Sequence, residues 1–448
     1  MQPDLLKYLD RRIPRYTSYP TAAQFTADID ARSYAQWLAA LPATEPISLY
    51  VHVPFCAELC LYCGCHTSVA RGYAPAAAYV ELLEREIALV GCLSGGRTVA
   101  YLHWGGGTPT ILAPADFRKV MAALRANFAF GPAAELAIEI DPRTLTQQHV
   151  AALAEAAITR ASLGVQDFDP QVQRAVNRVQ SFEQTARAAD WLRAAGIRSI
   201  NLDLMYGLPH QSVASVEATV RRALELDPDR IVLFGYAHVP WMKRHQRLIP
   251  EEALPGSSQR FAQSRAAAQV LICADYEPIG LDHFAKHGDL LVQRQRAGRL
   301  HRNFQGYTTD ESRTLIGFGA SAIGTLPQGY VQNAPSAVAY RAAIMGGRLA
   351  TARGRALTPE DRLRRDLIER LMCDLKVDLA EQCAAHASDT DRFAAELSAL
   401  DALANDGLLE RVGYKVAIPE RARPFMRTVC AALDAHLADH DTRFSRAS

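Results

Sequence analysis

The chain has 448 residues, with 49 lysines and arginines against 48 aspartates and glutamates, a formal net charge of +1. That balance builds no broad field for nucleic acid or an anionic membrane surface, and so argues against both as main partners. The apolar fraction of 49% is that of an ordinary globular enzyme, and the length allows a large core plus a second domain.

No apolar run approaches the roughly twenty residues that span a bilayer. MQPDLLKYLDRRIPRY at the start has no apolar signal core, so the expected compartment is the cytoplasm. RRIPRYTSYPTA, with Arg11, Arg12, Arg15, Tyr16 and Tyr19, is too rich in turn residues for a regular element; residues 1–45 read as a lead-in. Short apolar runs then alternate with helical patterns. ISLYVHV (47–53) reads as a strand and 73–90 as a helix. VAYLHWGGG (99–107) is a strand ending in glycines, followed by a helix near 114–127. ELAIEID (135–141) and ASLGVQ (161–166) are strands on either side of a helix near 146–157. DPQVQRAVNR opens a helix with Asp169 as N-cap and Pro170 at its first position. SINLDLMYG (199–207) and RIVLFGYA (230–237) are strands separated by a helix near 212–226.

Six β-then-α units predict an α/β fold, a parallel barrel or partial barrel whose site lies at the C-terminal strand ends. The barrel is assigned to 46–350. From about 355 the pattern turns mostly helical. TPEDRLRRDLIERLMCDL opens a helix, further helical patterns lie near 390–405, LLERVGYKVAIPE suggests a hairpin, and a last helix covers roughly 420–438. Residues 355–448 read as a C-terminal domain of winged-helix-like shape, with too little positive charge for DNA.

Nine cysteines are present, and Cys92, Cys273, Cys373, Cys383 and Cys430 stand singly. In a reducing compartment such residues serve as small hydrophobes, whereas clustered thiols are metal ligands or redox centres. VPFCAELCLYCGCHT (53–67) clusters four: Cys56, Cys60, Cys63 and Cys65. A structural zinc site prefers two separated pairs converging on one ion. An iron–sulfur cluster is larger, and three thiolates from one loop can each reach a different iron, leaving one iron open. Zinc remains the rival reading.

Further polar residues recur at successive strand ends. WGGGTPT (104–110) offers a glycine loop through which backbone can approach a ligand. Glu139, Gln166 and Asp203 end or interrupt apolar strands, and Arg178 follows on the next helix. A buried acid needs a partner or a ligand. Each could be structural alone; together they favour a shared pocket.

The C-x3-C-x2-C spacing at Cys56, Cys60 and Cys63 resembles the signature of radical S-adenosylmethionine (SAM) enzymes. The whole chain resembles the oxygen-independent coproporphyrinogen III oxidases. RYTSYPTA (15–22), YVHVPFCAELCLYCGC (50–65), HWGGGTPT (103–110), IEIDPR (138–143), LGVQDFD (163–169), NLDLMYGLPHQ (201–211), LHRNFQGYTT (300–309), GFGASAIG (317–324) and the closing FSRAS carry that resemblance. His66 and Gly235 stand where asparagine is common in the family. The resemblance implies a partial (β/α)6 radical SAM barrel with extra C-terminal strands. It also implies one 4Fe–4S cluster on Cys56, Cys60 and Cys63, and two SAM molecules. The cluster-bound SAM would meet Tyr50, Gly106, Glu139 and Ile323. The second would meet Tyr62, Gly107, Thr108, Gln166, Arg178, Asp203 and Ala237. Cys65 is an extra cysteine of unassigned role, not a ligand.

The implied reaction converts two propionates of coproporphyrinogen III into the vinyls of protoporphyrinogen IX by radical hydrogen abstraction, which asks for no acid–base pair. An electron donor and an electron acceptor are implied without being identified, and a monomer is expected. Arg11, Arg12, Arg15 and Arg302 are candidates for the substrate's carboxylates, although surface solvation explains any one of them. The alternative is a haem-trafficking paralogue, but such relatives usually lack the CGC cysteine and the LHRNFQGYTT stretch, both present here.

Overall fold

The structure, a computed structural model, describes residues 3–437. FSRAS and the last residue of the helix expected over 420–438 lie outside the described residues. Among those described, no helix is long and apolar enough to cross a membrane.

The strands form where the apolar runs lie: β1 (Ile47–Val53), β2 (Thr98–Gly106), β3 (Ala129–Ile140), β4 (Arg160–Gln166), β5 (Ser199–Tyr206) and β6 (Arg230–Gly235). They lie side by side in chain order, all parallel. Helices connect them, including α2 (Ala74–Ser94), α3 (Pro114–Asn127), α4 (Gln147–Glu155), α5 (Pro170–Ala175), α6 (Phe182–Ala194) and α7 (Val213–Leu224). In α5 the Asp169 carboxylate accepts from the Gln171 and Val172 amides, and Pro170 sits at the first position, where no N–H is needed.

The sheet extends beyond these six strands on both sides. Next to β6 comes β8 (His283–Lys286), antiparallel, and then β7 (Tyr276–Ile279). Next to β1 comes β9 (Leu315–Phe318), parallel, followed by antiparallel β10 (Ile323–Leu326), β11 (Gly329–Asn333) and β12 (Thr351–Ala356). The order is β12-β11-β10-β9-β1-β2-β3-β4-β5-β6-β8-β7. Side chains alternate along each strand. On β1, Leu49 and Val51 face the helices and join the main core with Leu83 and Ile87 of α2, whereas Tyr50 and His52 face the opposite way.

Two local expectations change. The lead-in contains a helix, α1 (Ala31–Ala39), started by the Asp30 carboxylate accepting from the Ser33 amide at 2.9 Å. The last helix is shorter than expected. Residues Glu420–Phe425 form a 3-10 turn around Pro424, and only Met426–Ala431 is α-helical, because proline removes an N–H that a helix interior needs.

A second core joins the two ends of the chain. Leu9, Ile13, Tyr16 and Tyr19 pack with Leu367, Phe393, Val416 and Met426. The Tyr16 hydroxyl donates to Asp434 at 2.9 Å, and the Tyr19 hydroxyl accepts from the Ala435 amide at 3.0 Å. The C-terminal part contributes a helix at Pro359–Asp374, capped by Thr358, and a three-stranded antiparallel sheet that includes the hairpin Glu410–Val412 with Lys415–Ala417.

Trp104 on β2 is fully buried, with its ring centroid 4.9 Å from that of Phe117 on α3. Trp104→Ala is expected to cost about 3–5 kcal/mol of stability, read as a lower denaturant midpoint with the slope unchanged.

Candidate functional site

The strand ends open into one cavity of about 1160 Å³. Tyr50 of β1, Glu139 of β3, Asp203 of β5, His283 of β8, Ile323 of β10 and Arg353 of β12 all line it, so the sheet curls around this space. The cysteine loop follows β1. Phe55–Cys56 pairs briefly with Ser68–Val69, and the residues between form the loop.

The loop is fastened to the glycine turn of β2. The Gly107 N–H donates to the Val53 carbonyl and the Thr108 N–H to the Phe55 carbonyl, each at 2.8 Å. There is no room for a side chain at this contact. A Cβ on Gly107 would lie 2.5 Å from the Phe55 carbonyl oxygen, and one on Gly106 (φ +116°) would lie 2.9 Å from the Val53 carbonyl oxygen. The Gly106 N–H donates to Glu139 at 3.3 Å. These amides therefore serve the chain's own groups.

The far side of the loop is held by residues 239–246, in which the sequence singled out no individual residue. The fully buried Gln246 amide donates to the carbonyls of Tyr62 (3.0 Å) and Ala237 (3.2 Å) and accepts from the Val239 amide (2.6 Å). His245 Nε2 donates to the Cys63 carbonyl at 2.8 Å, and Lys243 donates to the Cys65 carbonyl at 2.7 Å. Tyr62 itself packs among Val172, Val176 and Tyr236.

The thiols have polar and cationic neighbours. Cys56 Sγ lies 3.2 Å from the Thr67 hydroxyl and 3.6 Å from that of Thr108. Cys60 Sγ lies 3.6 Å from Arg178 Nη1 and 3.9 Å from Arg143 Nη2. Asp141 sits between these guanidiniums, at 2.7 Å from Arg143 and 3.2 Å from Arg178. Burial raises the Cys56 thiol. Cys63 is held at about 7, chiefly by a hydrogen bond from the Cys65 thiol and against the opposing effect of burial. Cys65, exposed where it lines the cavity, is pushed up chiefly by the same hydrogen bond.

Among the described residues, no three or more histidine, cysteine, aspartate or glutamate side chains gather as one ion would require. Thiols set apart on one loop, with guanidiniums beside them, suit an anionic cluster whose irons are themselves separated.

The strand-end residues converge on the same cavity. Glu139 Oε1 is 3.0 Å from His103 Nε2. Asp203 accepts from Ser162 and Asn201, each at 2.8 Å, and burial raises it to about 6. Gln166 adopts φ +70°, a conformation uncommon for a residue with a side chain, beside an irregularity in the pairing of β4 with β5. Arg178 donates to the Gly164 carbonyl at 2.5 Å. His52 Nε2 faces the His66 carbonyl at 2.9 Å. A carbonyl only accepts, so Nε2 carries the proton and Nδ1 accepts from the Tyr50 hydroxyl at 2.9 Å.

A family model described as the radical SAM superfamily matches residues 50–223. The oxygen-independent coproporphyrinogen III oxidase of Bradyrhizobium diazoefficiens is 53% identical across 100% of both chains. The chain belongs to the oxygen-independent coproporphyrinogen III oxidase family. The Paracoccus denitrificans member is 43% identical over 97% of this chain and 96% of its own. A solved structure of coproporphyrinogen III oxidase from Escherichia coli, described as a radical SAM enzyme, superposes with a TM-score of 0.91 at 39% identity, covering 95% of this chain and 100% of that one. The family implies a 4Fe–4S cluster and SAM, and the fold is the expected α/β radical SAM architecture with added strands.

For this oxidase-family chain the four arginine candidates separate. Arg15 and Arg302 line the cavity. Arg11 and Arg12 are exposed and lie over the rings of Tyr8 and Trp241, 5.8 and 5.0 Å from the centroids. Sequence reasoning missed His103, Asp141 and Arg143 as individual residues, although HWGGG and IEIDPR contain them. Asn201 was missed in the same way inside NLDLMYGLPHQ, and Ser162 was not singled out.

Gly107→Ala is expected to displace the cysteine loop and to lower iron and sulfide content sharply after anaerobic reconstitution. Gly131→Ala, where the nearest atom to a new Cβ is 3.6 Å away, is expected to reconstitute as the wild type does.

Proposed function

We propose that this chain carries out the oxygen-independent oxidative decarboxylation of coproporphyrinogen III to protoporphyrinogen IX in porphyrin biosynthesis. The observation that carries the reading is the convergence of the cysteine loop, the glycine turn and the polar strand ends on one cavity large enough for cofactor and substrate together. The full-length similarity to oxidases supports it, and the haem-trafficking alternative has no such support.

Cys56, Cys60 and Cys63 would hold the 4Fe–4S cluster; once bound, it supplies the electron that cleaves SAM and yields a 5′-deoxyadenosyl radical. The chain's own residues bind, orient and shield. Tyr50, Gly106, Glu139 and Ile323 would take the first SAM, with the carbonyl side of the glycine turn offered to its ammonium group. Glu139 is anchored by His103 and half open to the cavity, so it keeps acceptor capacity for a ligand. Tyr62, Gly107, Thr108, Gln166, Arg178, Asp203 and Ala237 would take a second SAM. Asp203, already oriented by Ser162 and Asn201, suits a ligand hydroxyl.

Each of two propionates, those on rings A and B, loses a hydrogen atom from the carbon next to the pyrrole ring, then carbon dioxide and one electron, which leaves a vinyl. No side chain has to move a proton in the hydrogen step, so no acid–base pair is assigned. An external donor supplies electrons and an external acceptor removes them. The reading is of a cytoplasmic, monomeric enzyme with neither nucleic acid nor membrane as a partner, built as a lead-in (1–45), a barrel (46–350) and a C-terminal domain (355–448).

Cys56→Ser, Cys60→Ser and Cys63→Ser are each expected to lose the cluster's visible absorption and all activity. Cys65→Ser is expected to keep its iron and sulfide; loss of both would make it a ligand. Anaerobic incubation of the reconstituted wild type with SAM, a reductant, coproporphyrinogen III and a panel of electron acceptors is expected to form protoporphyrinogen IX. SAM cleavage without that product in every case overturns the assignment.

A further inference from the structure

Tyr79 and Glu86 of α2 stand seven positions apart and so share one helix face. Neither lines the cavity, yet both reach the turn 319–322 that joins β9 to β10. The turn is built under strain. Gly319 has φ +99° and Ser321 φ +65°, and a Cβ on Gly319 would lie 2.5 Å from the His52 carbonyl oxygen and from the Tyr79 hydroxyl. Its front is part of the cavity wall, which Ser321, Ala322 and Ile323 all line.

The back of the turn is held by α2. Glu86 is 1% exposed. Its carboxylate accepts from the Gly319 amide and the Tyr340 hydroxyl, each at 2.7 Å, and from the Asn333 side-chain amide at 2.6 Å. Asn333 also donates to the Gly319 carbonyl at 2.9 Å. The Tyr79 hydroxyl accepts from the Ala320 amide at 2.8 Å and donates to the His52 carbonyl of β1 at 2.9 Å. Burial raises Glu86 to about 7, and its three neutral donors, Tyr340, Gly319 and Asn333, oppose that rise. A buried acid is costly, but an apolar residue at 86 would leave those donors without this acceptor. A strained turn keeps its shape only where its surroundings over-determine it, and these contacts do so.

We propose that Glu86, assisted by Tyr79, is a positioning residue for the first SAM. From behind the sheet it fixes the turn 319–322, and through the turn it sets Ile323 at its distance from Tyr50 on β1. The proposal rests on the reading above that Tyr50 and Ile323 take that SAM, and adds the group that keeps the two in place. Neither α2 side chain reaches the cavity itself. Tyr79 makes the coupling direct, because one hydroxyl binds both the turn and the backbone of His52, two residues beyond Tyr50. A shift of about 1 Å in such a wall is enough to weaken the contacts that orient a ligand.

The test uses the full chain, anaerobically reconstituted, with the cluster reduced and SAM added stepwise. The electron paramagnetic resonance spectrum of the cluster reports the SAM that touches it, and the readout is the SAM concentration at half-change. Glu86→Ala is expected to raise that concentration about tenfold or more, the scale of one lost hydrogen bond to a charged group, with iron and sulfide unchanged. Glu86→Gln, which keeps one acceptor oxygen for Gly319 and Tyr340, is expected to recover part of the loss. Tyr79→Phe is expected to raise it about fivefold, the scale of a lost neutral hydrogen bond. Leu192→Ala, a deletion in the main core on α6, is expected to lower the denaturant midpoint and to leave the SAM concentration as in the wild type. An unchanged SAM concentration in Glu86→Ala overturns the proposal; should that variant not fold, the same result in Tyr79→Phe overturns it. An equal rise in Leu192→Ala overturns it too, since lost stability alone would then move the readout. A wild-type spectrum that ignores SAM overturns the proposal together with the reading beneath it. Raised SAM concentrations in the Glu86 and Tyr79 variants of a wild type that forms no protoporphyrinogen IX uphold the proposal and refute the function.

Discussion

Two backbone hydrogen bonds, from Gly107 to Val53 and from Thr108 to Phe55, join the cysteine loop to the sheet. They set the distance between the thiols and every other group in the cavity. Residue 107 must be glycine because a side chain there would strike the backbone of the loop it supports. The amides of the glycine turn fix the loop and reach Glu139 of β3 as well.

Other contacts extend this arrangement outward. Gln246, with no exposure, ties the outer side of the loop to the segment after β6, and Asn177 donates to the Leu59 carbonyl from the turn after α5. The loop is thus gripped from β2, from α5 and from residues 239–246. The guanidiniums beside Cys60 are held in turn by Asp141. Arg143 and Arg178 thus place positive charge beside the Cys60 sulfur.

The cavity is also closed by both ends of the chain. Leu9 and Ile13 belong to the second core and to the cavity wall, and so does Phe425 from the C-terminal part. Burial of apolar side chains there stabilises the joint core and keeps water from the same space. The hairpin bearing Arg302 leans on that core through Tyr307, whose hydroxyl donates to the Met372 carbonyl at 2.7 Å. Structure at the two termini is in this way coupled to the shape of the substrate space.

Some of this was determined by the sequence alone. The run ISLYVHV became β1 with unchanged bounds, Asp169 and Pro170 opened α5, and the six βα units came out parallel and in chain order. Such features obey local rules of periodicity and capping, which a short window of residues contains. The cysteines and strand-end polar residues were legible because their spacing and motifs are short-range too. Only the tertiary structure decided that Arg15 and Arg302 share a cavity with Arg427 while Arg11 and Arg12 do not. It also decided that Gln246 grips Tyr62, and that β9 pairs with β1. Each of those facts joins residues more than a hundred positions apart, where composition and periodicity carry no information about which groups will meet.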